Sequence, residues 1–172
     1  MKSRQVTEFL AGLHEFIVND PRLPKHTATN SESEAHAELR PIIAGYLEAY
    51  FAERGYKRPA AKAERSLYWE GQPGAFGTAR APVFATRNYP DFIITAPYSI
   101  AIEYKQSPSG ARIKQGLGQS IMHTLIGDFD YVCFLFRDEN TDKRIENSAQ
   151  GQPEAAIVKK MWDSFNVLVK FI

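Results

Sequence analysis

Apolar positions recur at two different spacings along the chain, and the spacing assigns most of its elements. Val6, Phe9, Leu10, Leu13, Phe16 and Ile17 fall at helical intervals, which predicts an amphipathic helix from about Arg4 to Val18, stopped by Asp20-Pro21-Arg22-Leu23-Pro24. Polar residues 25–33 read as a linker. Beyond it Ala35, Leu39, Ile42, Ile43, Tyr46, Leu47 and Tyr50 repeat the helical interval up to Gly55, behind a capping box of Ser31 and Glu34. Pro41 inside that run predicts a kink or a later start, since an interior proline costs about 3 kcal/mol. Residues 1–24 are therefore expected as a helix that packs on its own chain or on a second copy, and residues 31–172 as the main domain.

Period-two and continuous apolar runs predict the strands. Glu64–Trp69 reads as a first strand, and glycine-rich 72–81 as a long turn. Residues 91–95 and 100–105 alternate, so that Phe92, Ile94, Ile100, Ile102 and Tyr104 share one face while Asp91, Thr95, Ala101, Glu103 and Lys105 share the other. A helix from about Ala111 to Ile126 follows, with Ile113, Leu117, Ile121 and Leu125 as its core side. Residues 130–136 are nearly all apolar and predict a strand buried on both faces. Polar 137–152 reads as a loop, 153–165 as a helix opened by Pro153, and 167–172 as a last strand joined in parallel through its crossover helix. The expected class is α/β, with a mixed central sheet flanked by helices.

The polar face of the two alternating strands carries the candidate chemistry. A three-residue loop, Pro97–Ser99, sets Ala96 against Ile100 and Asp91 against Lys105, with Glu103 on the adjacent diagonal. Two carboxylates and one ammonium then meet on the side of the sheet turned to water. Two carboxylates with water and a phosphate suffice for a hard divalent ion. The same residues also suit an exposed strand face bearing a simple Glu-Lys pair.

Pro90-Asp91, then Glu103-Tyr104-Lys105 on the next strand with a helix after it, resembles the PD-(D/E)xK, or restriction-endonuclease-like, nuclease superfamily. The resemblance implies an α-β-β-β-α-β-α-β core, here with an extra N-terminal helix, and metal-dependent hydrolysis of phosphodiester bonds, in DNA before RNA. It implies that Asp91, Glu103, the Tyr104 carbonyl and an upstream glutamate hold magnesium, with manganese able to substitute, while Lys105 positions or activates water. Glu32, on the inward stripe of its helix, is the first choice for that glutamate and Glu38 the second; acidic residues in a first helical turn also simply suit the helix dipole. Gly118-Gln119-Ser120-Ile121-Met122-His123 is similar to the superfamily's Gln-x-x-x-Tyr helix motif, with histidine where tyrosine is usual. Gln119 is thus a candidate for supporting substrate or Lys105; a polar group bonded within a half-buried helix is the plainer use of it and of His123. Arg80, Arg87, Arg112 and Lys114 are candidates for DNA phosphates or for ordinary solvated positions. A catalytically inactive nucleic-acid-binding or scaffold subunit with the same fold is the alternative.

Composition narrows the partners. The 172 residues carry a formal net charge of +1, so no global basic field marks a nucleic-acid binder and a local patch must do the work. One cysteine, Cys133, permits neither an internal disulfide nor a cysteine-based zinc site and suits a reducing, cytoplasmic setting. No apolar run reaches membrane-spanning length. Cleavage of both strands by one small site implies two copies, with the first helix as the expected homodimer contact.

Overall fold

The computed structural model describes residues 4–23, 31–70, 72, 89–126 and 129–172. They form two compact units that part between Leu67 and Tyr68. The first is helical: α1 (Arg4–Asn19), α2 (Glu32–Glu53) and α3 (Pro59–Ser66). Phe9 of α1 meets the rings of Tyr46 and Tyr50 of α2 edge-on, at centroid separations of 5.2 and 4.9 Å, and the Tyr46 hydroxyl donates to the Phe9 carbonyl at 2.7 Å. Val6, Leu10, Leu13 and Ile17 are fully buried within the chain.

At the start of α2 the Ser31 Oγ accepts from the Glu34 N–H, and the Glu34 carboxylate accepts from the Ser31 N–H at 2.7 Å, so the capping box forms as its spacing predicts. Gly55, at φ +74°, supplies the left-handed residue beyond the helix end. Pro41 does not delay the helix, which runs through it with Pro41 exposed; the carbonyl deprived of its N–H partner lies where water can bond it. The expected strand Glu64–Trp69 is cut back to β1 (Leu67–Trp69), because Pro59 at a helix start followed by Ala60, Ala61 and Ala63 carries α3 through Ser66.

The second unit is built on a sheet in the order β1-β2-β3-β4-β5, with β2 (Phe92–Ile94), β3 (Ile100–Ser107), β4 (Tyr131–Asp138) and β5 (Val167–Phe171). β2 and β3 are antiparallel; β3, β4 and β5 run parallel. Helix α4 (Gly110–Leu125) joins β3 to β4, while α5 (Arg144–Gln150) and α6 (Glu154–Phe165) join β4 to β5. The described residues thus form an α/β arrangement of six helices and a five-stranded, mixed, open sheet. Helices α3 and α5 are additions to the expected element order.

Residues 137–152, expected as a loop, instead complete β4 and form α5. Asp138 accounts for the difference: buried at the end of β4, it accepts from the Ile145 and Glu146 N–H groups at 2.8 and 3.1 Å and so caps a polar helix that hydrophobic patterning does not register.

The hairpin also departs from expectation. Phe92 pairs with Ile102 and Ile94 with Ile100, so the loop is Thr95–Ser99 and the strands are shifted by two residues from the expected pairing. The shift preserves both faces. Neither, however, is turned to water. Phe92, Ile94, Ile100, Ile102 and Tyr104 are fully buried, and the opposite face continues across β4 as Val132, Phe134 and Phe136 into a core that includes Ile93, Ala101, Val167 and Val169. Helix α4 covers this second face. Its innermost residues are Gly116, Ser120 and His123, with Ile113, Leu117 and Ile121 packed partly buried beside them and Leu125, expected in the core, largely exposed. A methyl group on Gly116 would stand 2.3 Å from the Phe134 ring, so glycine is what lets the helix lie so close.

Cys133 lies in the middle of β4, fully buried, and desolvation pushes its thiol up to about 12. No helix among the described residues is long and apolar enough to cross a membrane.

Candidate active site

Asp91 stands immediately before β2, directly after the buried Pro90, and Glu103 and Lys105 lie two apart on β3, so all three side chains leave the sheet on one side. They converge as expected, in an altered pairing: extending the register by one step sets Asp91 opposite Glu103, not Lys105. Lys105 Nζ lies 3.0 Å from Glu103 Oε1 and 4.0 Å from Asp91 Oδ2. The Tyr104 N–H donates to Asp91 Oδ2 at 2.6 Å. Because the N–H and C=O of one strand residue point to the same neighbour, the Tyr104 carbonyl is also directed towards the β2 side.

Two carboxylates directly opposite one another on a sheet repel. Here both are removed from water, Asp91 being 5% and Glu103 1% exposed. Burial first, and the Glu103 charge second, drive the Asp91 carboxyl far above the carboxylate range; Lys105 and the Tyr104 N–H pull the other way without cancelling them. Glu70, just after β1, adds to the repulsion: its carboxylate comes within 4.8 Å of that of Asp91, and its backbone N–H donates to the Asp91 carbonyl at 2.9 Å. The three carboxyl groups therefore crowd oxygen donors together, and that crowding holds Asp91 towards its neutral form. Asp91 and Glu70 belong to a group of side chains whose ligand atoms lie close enough together to hold a metal ion.

Helix α4 closes the cluster from above. His123, 1% exposed, places Nε2 3.2 Å from Glu103 Oε2, and its ring stands edge-on to Phe129 at a centroid separation of 6.1 Å. Gly116, nearly two turns earlier, lies over the Lys105 stem, where a Cβ would come 3.1 Å from Lys105 Cγ. Gln119 flanks this line, with its Oε1 buried and lacking a hydrogen-bond partner. The enclosure is graded. The Glu103 and His123 side chains are 1% exposed, whereas those of Asp91 and Lys105 are 7% and 8% exposed, which makes the Asp91–Lys105 edge the more open one.

Arg112 and Lys114 are exposed in the first turns of α4, Arg112 bonded to the Gln115 side chain at 3.0 Å. Arg80 and Arg87 fall outside the described residues. Glu32 is the first residue of α2 in the helical unit, half-buried, with one carboxylate oxygen buried and lacking a hydrogen-bond partner; Glu38 is half-buried six residues further on, and Glu34 is committed to the capping box. Glu70, and the pairing of His123 with Glu103, were not singled out from sequence. The Glu103–His123 contact joins a strand to a helix twenty residues away, and only the placement of His123 four residues after Gln119 hinted at it. Glu70 follows a strand too short to announce which residue it would face.

No protein-family model, curated protein or solved structure matches the chain.

Proposed function

We propose that the chain is a divalent-metal-dependent nuclease that hydrolyses phosphodiester bonds in DNA. The observation that carries this reading is the convergence of Asp91, Glu103 and Lys105 in a near-dry cluster where one carboxylate is held against its own ionisation. Folding alone gains little from two opposed carboxylates, whereas a site for a cation against a phosphate needs them.

In this reading Asp91 and Glu103 hold magnesium or manganese, with the Tyr104 carbonyl as a further oxygen donor. The ion's contribution, when bound, is to lower the pKa of its water and to offset charge developing on phosphate. Lys105 has two uses open to it through its position beside both carboxylates: orienting the attacking water or neutralising a phosphate oxygen. Gln119 offers an unpartnered buried carbonyl for a donor on substrate, water or Lys105. Substrate approaches over the Asp91–Lys105 edge, with Arg112 and Lys114 on the exposed start of α4, and Arg80 and Arg87, available to phosphates.

The test is magnesium- or manganese-dependent cleavage of plasmid and single-stranded DNA by wild type, Asp91→Ala and Lys105→Ala. Wild-type cleavage with a loss of at least about a thousandfold in both variants is expected. Equal cleavage by all three overturns the assignment. The deep burial of the cluster favours a second reading, a non-catalytic nucleic-acid-binding or scaffold subunit in which Lys105 and His123 serve only as partners for the Glu103 oxygens. DNA binding without cleavage at any divalent-ion concentration would select it.

A further inference from the structure

Resting on the metal-site reading above, we infer that His123 is a positioning residue that fixes the rotamer of Glu103 through its Nε2–H. A carboxylate oxygen accepts and does not donate, so the 3.2 Å contact between Nε2 and Glu103 Oε2 requires the hydrogen on Nε2. The two oxygens of Glu103 are thereby divided: Oε2 is held by the helix, and Oε1 is left to Lys105, 3.0 Å from Nζ. Without the imidazole Glu103 could turn about its side-chain bonds, and a ligand free to turn loses entropy when it binds.

The arrangement is built to be stiff. His123 is 1% exposed, its ring is set edge-on to Phe129, and α4 is drawn onto the sheet at Gly116, where the Phe134 ring occupies the place of a side chain. A polar side chain serving only the surface of α4 would be found among its exposed residues, where Arg112, Lys114 and Gln115 are.

The geometry yields a test that separates hydrogen-bond donation at one atom from filling of space. Glutamine carries its amide N–H at about the reach of Nε2, whereas asparagine carries it at about the reach of Nδ1. Manganese affinity is measured by the electron paramagnetic resonance of free ion on the full chain, with thermal melting to confirm folding and the manganese dependence of DNA cleavage in parallel. His123→Gln is expected to bind manganese within about threefold of wild type. His123→Asn is expected to bind about tenfold or more weakly, the scale of a lost partner to a metal ligand, and to need correspondingly more manganese for half-maximal cleavage. Equal affinities in the two variants, or a tenfold loss in His123→Gln, overturns the inference. Should His123→Asn fail to fold, the His123→Gln value decides alone by the same limits. Wild type that binds no manganese overturns the metal-site reading and this inference together, whereas wild type that binds alongside an equally tight His123→Asn overturns only the inference.

Discussion

Asp91 and Asp138 are both buried aspartates of the sheet unit, and the chain treats them in opposite ways. Asp138 is wrapped in donors: the Asn140 backbone and side-chain N–H groups at 3.0 and 2.6 Å on one oxygen, the Ile145 and Glu146 backbone N–H groups on the other. Burial works to raise its pKa, yet these bonds outweigh burial and leave the carboxyl below its ordinary value. Asp91 instead faces Glu103 and Glu70, and its carboxyl is driven upward. A buried charge that the backbone satisfies is a structural part of the fold. One that the fold burdens with like charge is driven towards its neutral form.

Three measurements test that contrast, beginning with the largest effect expected of a single substitution. Asp138→Ala strands the N–H groups of the α5 turn and is expected to cost about 3 kcal/mol in urea denaturation, with or without divalent ion. A loss under about 1 kcal/mol would mean that α5 does not depend on its cap. Gly116→Ala is next. Its Cβ would stand 2.3 Å from Phe134 Cε2 and 3.1 Å from Lys105 Cγ, so α4 must lift, at about 1–3 kcal/mol against the fraction of a kcal/mol that alanine gains in a helix. An unchanged or raised melting temperature would show that the helix does not press on the cluster.

The third is a pH profile. The Asp91 carboxyl, raised from 3.8 to about 8, is protonated in the folded chain through a pH range where the unfolded chain has released that proton. The stability it contributes is complete below about pH 4 and is lost as pH rises through about 8, with a slope of at most about 1.4 kcal/mol per pH unit. In chelator, equilibrium unfolding is therefore expected to show stability falling from pH 5 to 9. Asp91→Asn should flatten the fall, since its side-chain carbonyl can still accept from the Tyr104 N–H. A wild-type profile as flat as that of the variant would place Asp91 in the same class as Asp138.

Much of this fold was legible in sequence where one pattern sufficed. The capping box of Ser31 and Glu34, the stripe of α1, the apolar run of β4 and the sharing of one face by Asp91, Glu103 and Lys105 all follow from periodicity or local hydrogen bonding. The register was not legible, for a specific reason: a shift of two residues leaves every side chain on its own face, so the pattern that assigns faces is blind to it. The inner line of α4 misled because hydrophobicity favours Ile113, Leu117, Ile121 and Leu125, while closeness to the sheet is set by the small Gly116 and Ser120. Closure of the polar face by that helix, and with it the His123 contact, is a tertiary fact that no local spacing encodes. Helix α5 was hidden because its cap, Asp138, lies six residues upstream on a strand.

The lone sulfhydryl of Cys133 has a consequence of its own. Walled in at mid-strand and kept protonated up to about pH 12, it gives an alkylating reagent neither a path nor a thiolate. Its labelling rate in the intact protein therefore counts the moments when β4 comes out of the sheet, a built-in clock for opening of the core that needs no introduced probe.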